Sequence, residues 1–491
     1  MAASKNFDNV FPLFLFGGSS ILNYLQYLNP LFAYGMNENT ILNPILNSPY
    51  EEPRFHFRFD ERGITNDIVE ARRSSTYRLP IPLPKSRGKN LYHAQLGLGG
   101  DVLETDQPIP HVDDIRAQVG LWRKNGYNPA PNGVTRRLLE YWTEIEQRPE
   151  KRLYFCQLEA IETIIYLHEI ASKAGKNHLI EHLRQANQDY NSELPLRIAM
   201  KMATGSGKTL VMAMLIAWQA LNKLTYASDK RFSSCFLIVA PGITIKDRLR
   251  VLLPTDPDNY YTSWNLVPED LRELLGRARI EVINYHQFRL KENSPASGLN
   301  KQVLTKGGKE SPFKESEGQM VMRVMRNLGK ARDIIVINDE AHHCYLPKDQ
   351  VEEKLSREEK SEANEDRERA ALWINGLMSI RKKIGIKVVY DLSATPQALR
   401  GSGYKEGSIF PWVVSDFSLV DAVESGIVKV PRVPVADNAM KSDMPMFRHV
   451  WPFIKADLPV YGRAKEEGTW IEPPIPGKLE ACLHMLYSNY E

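Results

Sequence analysis

The sequence predicts an α/β fold: a mostly parallel sheet wrapped around a phosphate-binding loop and preceded by an irregular N-terminal accessory region. Three observations carry this. Apolar runs recur at residues 196–202, 235–240, 280–283, 334–337 and 388–392, with helical or loop segments between them. Continuous apolar runs mark strands covered on both faces, which is how crossover helices cover a parallel sheet. Between the first run and a long apolar stretch at 210–224 lies Met202-Ala203-Thr204-Gly205-Ser206-Gly207-Lys208-Thr209, a glycine-rich strand-to-helix turn. Finally, two adjacent carboxylates, Asp339 and Glu340, close the fourth run.

The elements follow in chain order. The chain has 491 residues, enough for roughly two to four domains. Residues 10–16 and 21–34 are apolar in part, but Gly17-Gly18-Ser19-Ser20 and three amide side chains interrupt them. A membrane span needs about 20 mostly apolar residues, so no membrane partner is expected. Lys5 is the one basic residue before the first apolar run and Asp8 follows it, which argues against a secretory leader; residues 1–40 read as an appended start. Residues 41–150 are rich in Pro, Asn and Arg, with short strands such as Phe55-His56-Phe57-Arg58-Phe59 and no chemistry-bearing motif. Residues 1–150 are therefore assigned to the accessory region. From about residue 153 the pattern changes: Leu158, Ile161, Ile164, Ile165 and Ile170 recur at helical spacing. A nucleotide-type domain is assigned to 151–405, and 406–491 to a linker and the start of a further, incomplete region. Two segments read as surface features, a polar insertion at 290–320 and a densely charged solvated helix or loop at 348–369.

Bulk composition narrows function little. Hydrophobic residues make up 43% and charged residues 25%, and the net charge is +3, so any nucleic-acid-binding surface must be local. Cys156, Cys235, Cys344 and Cys482 lie far apart with no Cys-x-x-Cys pair. That spacing suggests neither a zinc site nor a disulfide framework, and isolated thiols fit a reducing cytoplasm.

The chemistry concentrates in three turns. In the first, glycines let successive backbone N–H groups face an anion at a helix N-terminus. Thr204, Gly205, Ser206 and Gly207 would form the cradle. Lys208 would reach the β- and γ-phosphates of ATP, and the Thr209 hydroxyl would hold Mg²⁺. Met202 stands where the general pattern has Gly. In the second turn, Asp339-Glu340-Ala341-His342, two carboxylates at the end of a buried strand need a positive partner. Asp339 would bind Mg²⁺, and Glu340 would polarise the water attacking the γ-phosphate. The third, Leu392-Ser393-Ala394-Thr395-Pro396, offers Ser393 and Thr395 hydroxyls to His342 or Glu340.

Together the three turns resemble the first, RecA-like motor domain of superfamily 2 helicases of the Asp-Glu-Ala-His type. The loop is similar to that of type I and type III restriction-enzyme motor subunits. The resemblance covers roughly residues 153–430. It implies that Phe155 and Gln157 form an adenine-reading element, with the Gln amide able to pair with adenine through one donor and one acceptor. It implies nucleic-acid contacts at Pro241, Gly242 and the nearby Lys246, and at Tyr285 within Asn284-Tyr285-His286. His342, Ser393 and Thr395 would couple nucleotide state to the grip on DNA. Two flanking stretches, residues 43–50 and 417–428, are similar to type III restriction helicase subunits. In such motors a second domain supplies arginines to the γ-phosphate. After residue 430 only about 60 residues remain, and no Gln-x-x-Gly-Arg-x-x-Arg pattern or metal-nuclease cluster is found there. The resemblance thus implies an N-terminal motor portion, weak or inactive alone, acting on duplex or single-stranded DNA. A modification or specificity subunit, or a chain carrying the missing motor domain, would be its partner. An RNA helicase fragment and a non-catalytic nucleotide- or DNA-binding module are the alternatives.

Overall fold

The computed structural model describes residues 41–82 without 42, 61 and 62; 102–144 and 146; 151–291; 315–347 without 330; 357–429 without 399–401, 403, 405 and 406; and 475–488. Two compact units are present. The smaller joins residues 1–40, 58–66 and 430–491, and its described part comprises facing portions of strands β1 (His56–Asp60) and β2 (Gly63–Val69) and a helix at Gly477–Ser488. The larger comprises 41–57 and 67–429. Among the described residues no helix is long and apolar enough to cross a membrane.

The larger unit is built on a parallel sheet of six strands among the described residues. These are β5 (Arg197–Met202), β6 (Cys235–Ala240), β7 (Arg279–Asn284), β8 (Ile334–Asp339), β9 (Ile386–Ser393) and β10 (Val413–Phe417), in spatial order β10-β5-β9-β8-β6-β7. Every residue of β5, β6, β8 and β10 is buried. Alternate side chains enter different cores because the strand repeat is two residues. Ile335 and Ile337 join one hydrophobic cluster, and Ile334 and Val336 the other. The first cluster lies under helices α1 (Val112–Lys124), α2 (Gly133–Thr143), α3 (Phe155–Ile165) and α5 (Lys208–Thr225). Helix α4 (Asn177–Asn191) adds Leu179 and Leu183 to it. The second lies under α8 (Glu317–Val324) and α9 (Arg357–Lys383). Short helices α6 (Ile243–Arg248) and α7 (Glu269–Leu275) follow β6. The chain from Leu210 to Asn222 in α5 is buried on all sides, which explains its long apolar run, broken only by the buried Gln219 and Asn222.

Two expectations need adjusting. The predicted domain end at 405 falls short, because β10 at 413–417 pairs with β5 and completes the sheet edge, followed by α10 (Leu419–Glu424). The charged segment at 348–369 enters α9 at Arg357 and is a solvated helix as expected, with Ala363 the one buried side chain among its described residues; the buried stripe of α9 follows it, at Ala370, Trp373, Ile374, Leu377 and Ile380. Residues 348–356 lie outside the described residues, as does 292–314 of the predicted insertion at 290–320; α8 begins at 317. Within 41–150, strands β3 (Thr76–Pro82) and β4 (Val102–Pro108) form an antiparallel ladder, and helices α1 and α2 are regular. This region is tied to the sheet domain by buried ion pairs. Arg72 grips Glu159 with both terminal nitrogens, at 2.6 and 2.5 Å, and Arg123 donates to Glu162 at 2.8 and 2.5 Å. Carboxylates this deeply buried remain tolerable only because a guanidinium fork satisfies them.

Candidate functional site

All six strands point the same way, so their C-terminal ends share one edge, and the three turns identified in the sequence emerge there side by side. Strand β9, which carries Ser393, lies between β5, which leads into the glycine turn, and β8, which leads into the carboxylates.

In the first turn, Gly205 and Gly207 have φ of 85° and 92°, the left-handed region open to glycine. Gly207 also needs the space: a Cβ there would overlap Gln157 Nε2. Ser206 is fully buried and donates its hydroxyl to the Ala203 carbonyl at 2.7 Å, pinning the turn from within. Thr204 and Gly205 are exposed, while Gly207, Lys208 and Thr209 are half-buried at the start of α5, open to an incoming anion. Met202 is compatible with the motif because it is the last residue of β5, paired with Phe417 and buried, so the turn itself begins after it.

The carboxylate turn faces this cradle. Lys208 Nζ lies 3.1 Å from Glu340 Oε1. Glu340 holds φ of 47°, a left-handed conformation that costs a non-glycine residue about 1 kcal/mol and is tolerated where the surroundings impose it. Its backbone N–H donates to Asp339 Oδ1 at 3.1 Å. Burial, with the neighbouring Glu340 charge, pushes the Asp339 carboxyl up to about 7, against the opposing pull of Lys208. Burial pushes His342 down to about 4, so the ring is neutral near pH 7. His342 Nδ1 lies 2.9 Å from Ser393 Oγ and 3.5 Å from Glu340 Oε2. Thr395 donates its backbone N–H to the same Ser393 hydroxyl at 3.1 Å. Lys208, Glu340, His342, Ser393 and Thr395 thus form one connected chain of contacts.

The remaining predicted residues are placed differently. Gln157 is buried with both ends of its amide engaged: Oε1 accepts the Tyr154 backbone N–H at 3.0 Å, and Nε2 donates to the Ser206 carbonyl at 2.9 Å. It therefore braces the glycine turn. Phe155 does not offer an open face, because the Arg72 and Arg123 guanidinium carbons lie 5.5 and 4.8 Å from its ring centre. Pro241 and Gly242 are half-buried at the end of β6, and Lys246 belongs to α6. Tyr285 corrects the expectation of a strand contact: it is 4% exposed and packs parallel to Trp373, at 5.6 Å between ring centres and 6° between planes. A ring held in the core presents no face to a base.

Sequence reading missed several residues. The two flanking stretches converge beside the glycine turn. Phe417 accepts the Ala203 N–H at 2.9 Å, and Pro49 accepts the Phe155 N–H at 2.8 Å. This brings the exposed Tyr50 ring to 5.6 Å from Tyr154, with the Arg152 guanidinium 4.5 Å from its centre. Beneath the carboxylates, Asp391 accepts from Arg197 Nε at 2.7 Å, Asn338 Nδ2 at 2.8 Å and Trp412 Nε1 at 3.0 Å. Asn338 Oδ1 in turn accepts from Trp373 Nε1 at 3.1 Å. An Asp and an Arg within otherwise apolar strand runs were the available signal, since buried charges require partners.

The donor set suits a hard cation shared with a phosphate ligand. Among the described residues no group of three or more His, Cys, Asp or Glu could hold a metal unaided. Thr209 and Asp339 offer oxygen ligands, as Mg²⁺ prefers when phosphates and water complete its shell. Burial first, and the Glu340 charge second, raise the Asp339 carboxyl, and Lys208 opposes them only in part.

Residues 150–398 match the family described as type III restriction enzyme, res subunit. No curated protein matches the chain. The glycine turn, the carboxylate turn and the parallel sheet that aligns them all fall within the matched span or at its sheet edge. The chain therefore belongs to the type III restriction enzyme res subunit family and carries its RecA-like, helicase-type ATPase motor domain.

Proposed function

We propose that the chain binds Mg-ATP on this sheet edge and hydrolyses it to drive movement along DNA, as the motor portion of a type III-like restriction system in phage defence. The supporting observation is the 3.1 Å pair between Lys208 and Glu340, which brings the phosphate-binding and water-activating groups into one site. Backbone N–H groups from Thr204 to Thr209 and the Lys208 ammonium hold the triphosphate. Thr209 and Asp339 would hold Mg²⁺, which would supply positive charge to the phosphate oxygens. Entry of the triphosphate draws Lys208 away and frees Glu340 to orient a water. His342 and Ser393 tie Glu340 to β9, so its position is shared with the turn ending in Thr395. Gln157 braces the glycine turn through the Ser206 carbonyl.

The test is ATP hydrolysis with and without duplex DNA, alongside Lys208→Ala. Turnover stimulated by DNA and lost in the variant supports the reading. Stimulation by RNA and not by DNA would move the assignment to an RNA helicase. No binding of Mg-ATP, or behaviour unchanged in Lys208→Ala, would overturn it. Lys208→Ala is expected to weaken Mg-ATP binding about 100-fold, the scale of losing one buried charge-assisted contact, as measured by equilibrium titration.

A pH dependence follows from Asp339. Metal binding needs the carboxylate, and protons compete below about 7. Mg²⁺-dependent ATP affinity is therefore expected to fall about tenfold per pH unit below that value and to level off above it. Asp339→Asn should flatten this profile at a lower affinity.

A further inference from the structure

We infer that Trp373 is a positioning residue through which the turn after β7 acts on the carboxylate turn. The inference rests on the motor reading above and extends it to how nucleic acid regulates the ATP site. The starting point is that Asn338, the residue directly before Asp339 and Glu340, spends both ends of its amide on other elements. Its Nδ2 donates to Asp391 on β9, and its Oδ1 accepts from Trp373 Nε1 on α9. The position of β8's last residues is therefore set partly by α9.

Helix α9 is in turn locked to the turn that follows β7. Trp373 is fully buried and lies parallel to Tyr285. One turn further along α9, Gly376 meets Phe288 so closely that a Cβ would overlap the Phe288 ring. Two aromatic side chains of one short turn, Tyr285 and Phe288, thus seat on consecutive turns of α9. The same turn exposes His286 and Arg289 at the sheet edge. One turn before Trp373, Arg369 Nη1 lies 3.5 Å from His343 Nδ1, a second contact between α9 and the carboxylate turn. A load on His286 and Arg289 that shifts this turn must shift the aromatic pair, and the Trp373 N–H then carries the shift to Asn338.

The element with two arrangements is the carboxylate turn itself. Glu340 is held left-handed and paired with Lys208, and it must leave that pair for the site to work. A path of contacts becomes a coupling only if it biases such an element, and double-mutant cycles measure whether it does.

Trp373→Phe keeps the ring against Tyr285 and removes only the N–H to Asn338. In the full chain, basal ATP turnover should stay within about twofold, while stimulation by DNA should fall about fivefold or more, the usual scale of coupling between sites. Trp412→Phe is the control, since it removes a buried indole N–H from the same Asp391 network on the side away from Tyr285. A merely structural role predicts equal losses in both variants; the inference predicts that stimulation survives in Trp412→Phe. Tyr285→Leu breaks the ring pair and leaves the Trp373–Asn338 bond, so it decides the matter if Trp373→Phe does not fold. Its loss of stimulation should not add to that of Trp373→Phe in the double variant. Full stimulation in Trp373→Phe or Tyr285→Leu, or equal loss in Trp412→Phe, overturns the inference while leaving the motor function standing. Absence of stimulation in the unmodified chain overturns the motor function, and the inference with it.

Discussion

Glu340→Gln is expected to cut ATP turnover about 10²- to 10⁴-fold, the range for removing a group that positions and deprotonates an attacking water, while Mg-ATP binding is kept or tightened. The sign of the binding change follows from the pair seen at 3.1 Å. Lys208 is paired with Glu340, and a phosphate ligand must compete for it. The neutral amide of Gln is close to the same shape but gives up that competition. Asp339 adds a second reason: the Glu340 charge contributes to raising its carboxyl, so the substitution eases its ionisation for Mg²⁺. Single-turnover hydrolysis and equilibrium binding of a labelled nucleotide would separate the two effects. Equal losses of binding and turnover would mean that Glu340 shapes the site and does not act on water.

The second large effect is structural. Asp391→Ala is expected to lower the unfolding free energy by about 3–5 kcal/mol, the cost of stranding a buried charge. Arg197 is 1% exposed, and among the described residues its charge is met by the Nε bond to Asp391 and the Trp412 face 4.6 Å away. Removing the carboxylate also takes the acceptor from the Trp412 N–H and leaves Asn338 Nδ2 with the Cys344 sulfur at 3.7 Å. Denaturant unfolding at constant slope measures the loss. A change under about 1 kcal/mol would mean that water or a neighbour takes over the carboxylate's bonds. The double variant Arg197→Met with Asp391→Leu should recover much of the loss, because buried ion pairs are often replaceable by apolar side chains of similar volume.

These two residues mark what could and could not be read in advance. Lys208, Asp339 and Glu340 were legible because each belongs to a turn whose chemistry is complete in a few consecutive residues after an apolar strand. A parallel sheet then leaves little freedom, since strands running the same way deliver their C-terminal turns to the same edge. The link from His342 to Ser393 was legible for the same reason. Asp391 was not, although it stands in plain view within an apolar run, because its three donors come from β5, β8 and the stretch before β10. Phe155 and Tyr285 went astray through their partners. An aromatic beside a motif looks available until two guanidinium groups or a Trp ring are seen against it.

By itself, then, the sequence determined the α/β class, the order of the three turns and the residues that meet at the sheet edge, because local backbone geometry and strand direction are sufficient for these. Only the tertiary structure decided the rest. It turned Gln157 toward the Ser206 carbonyl, brought β10 onto the sheet edge and seated Trp373 of α9 between Tyr285 and Asn338. Those outcomes depend on which distant surfaces pack together. Burial energy is gained between segments far apart in the chain, so no single segment carries the information about its partner.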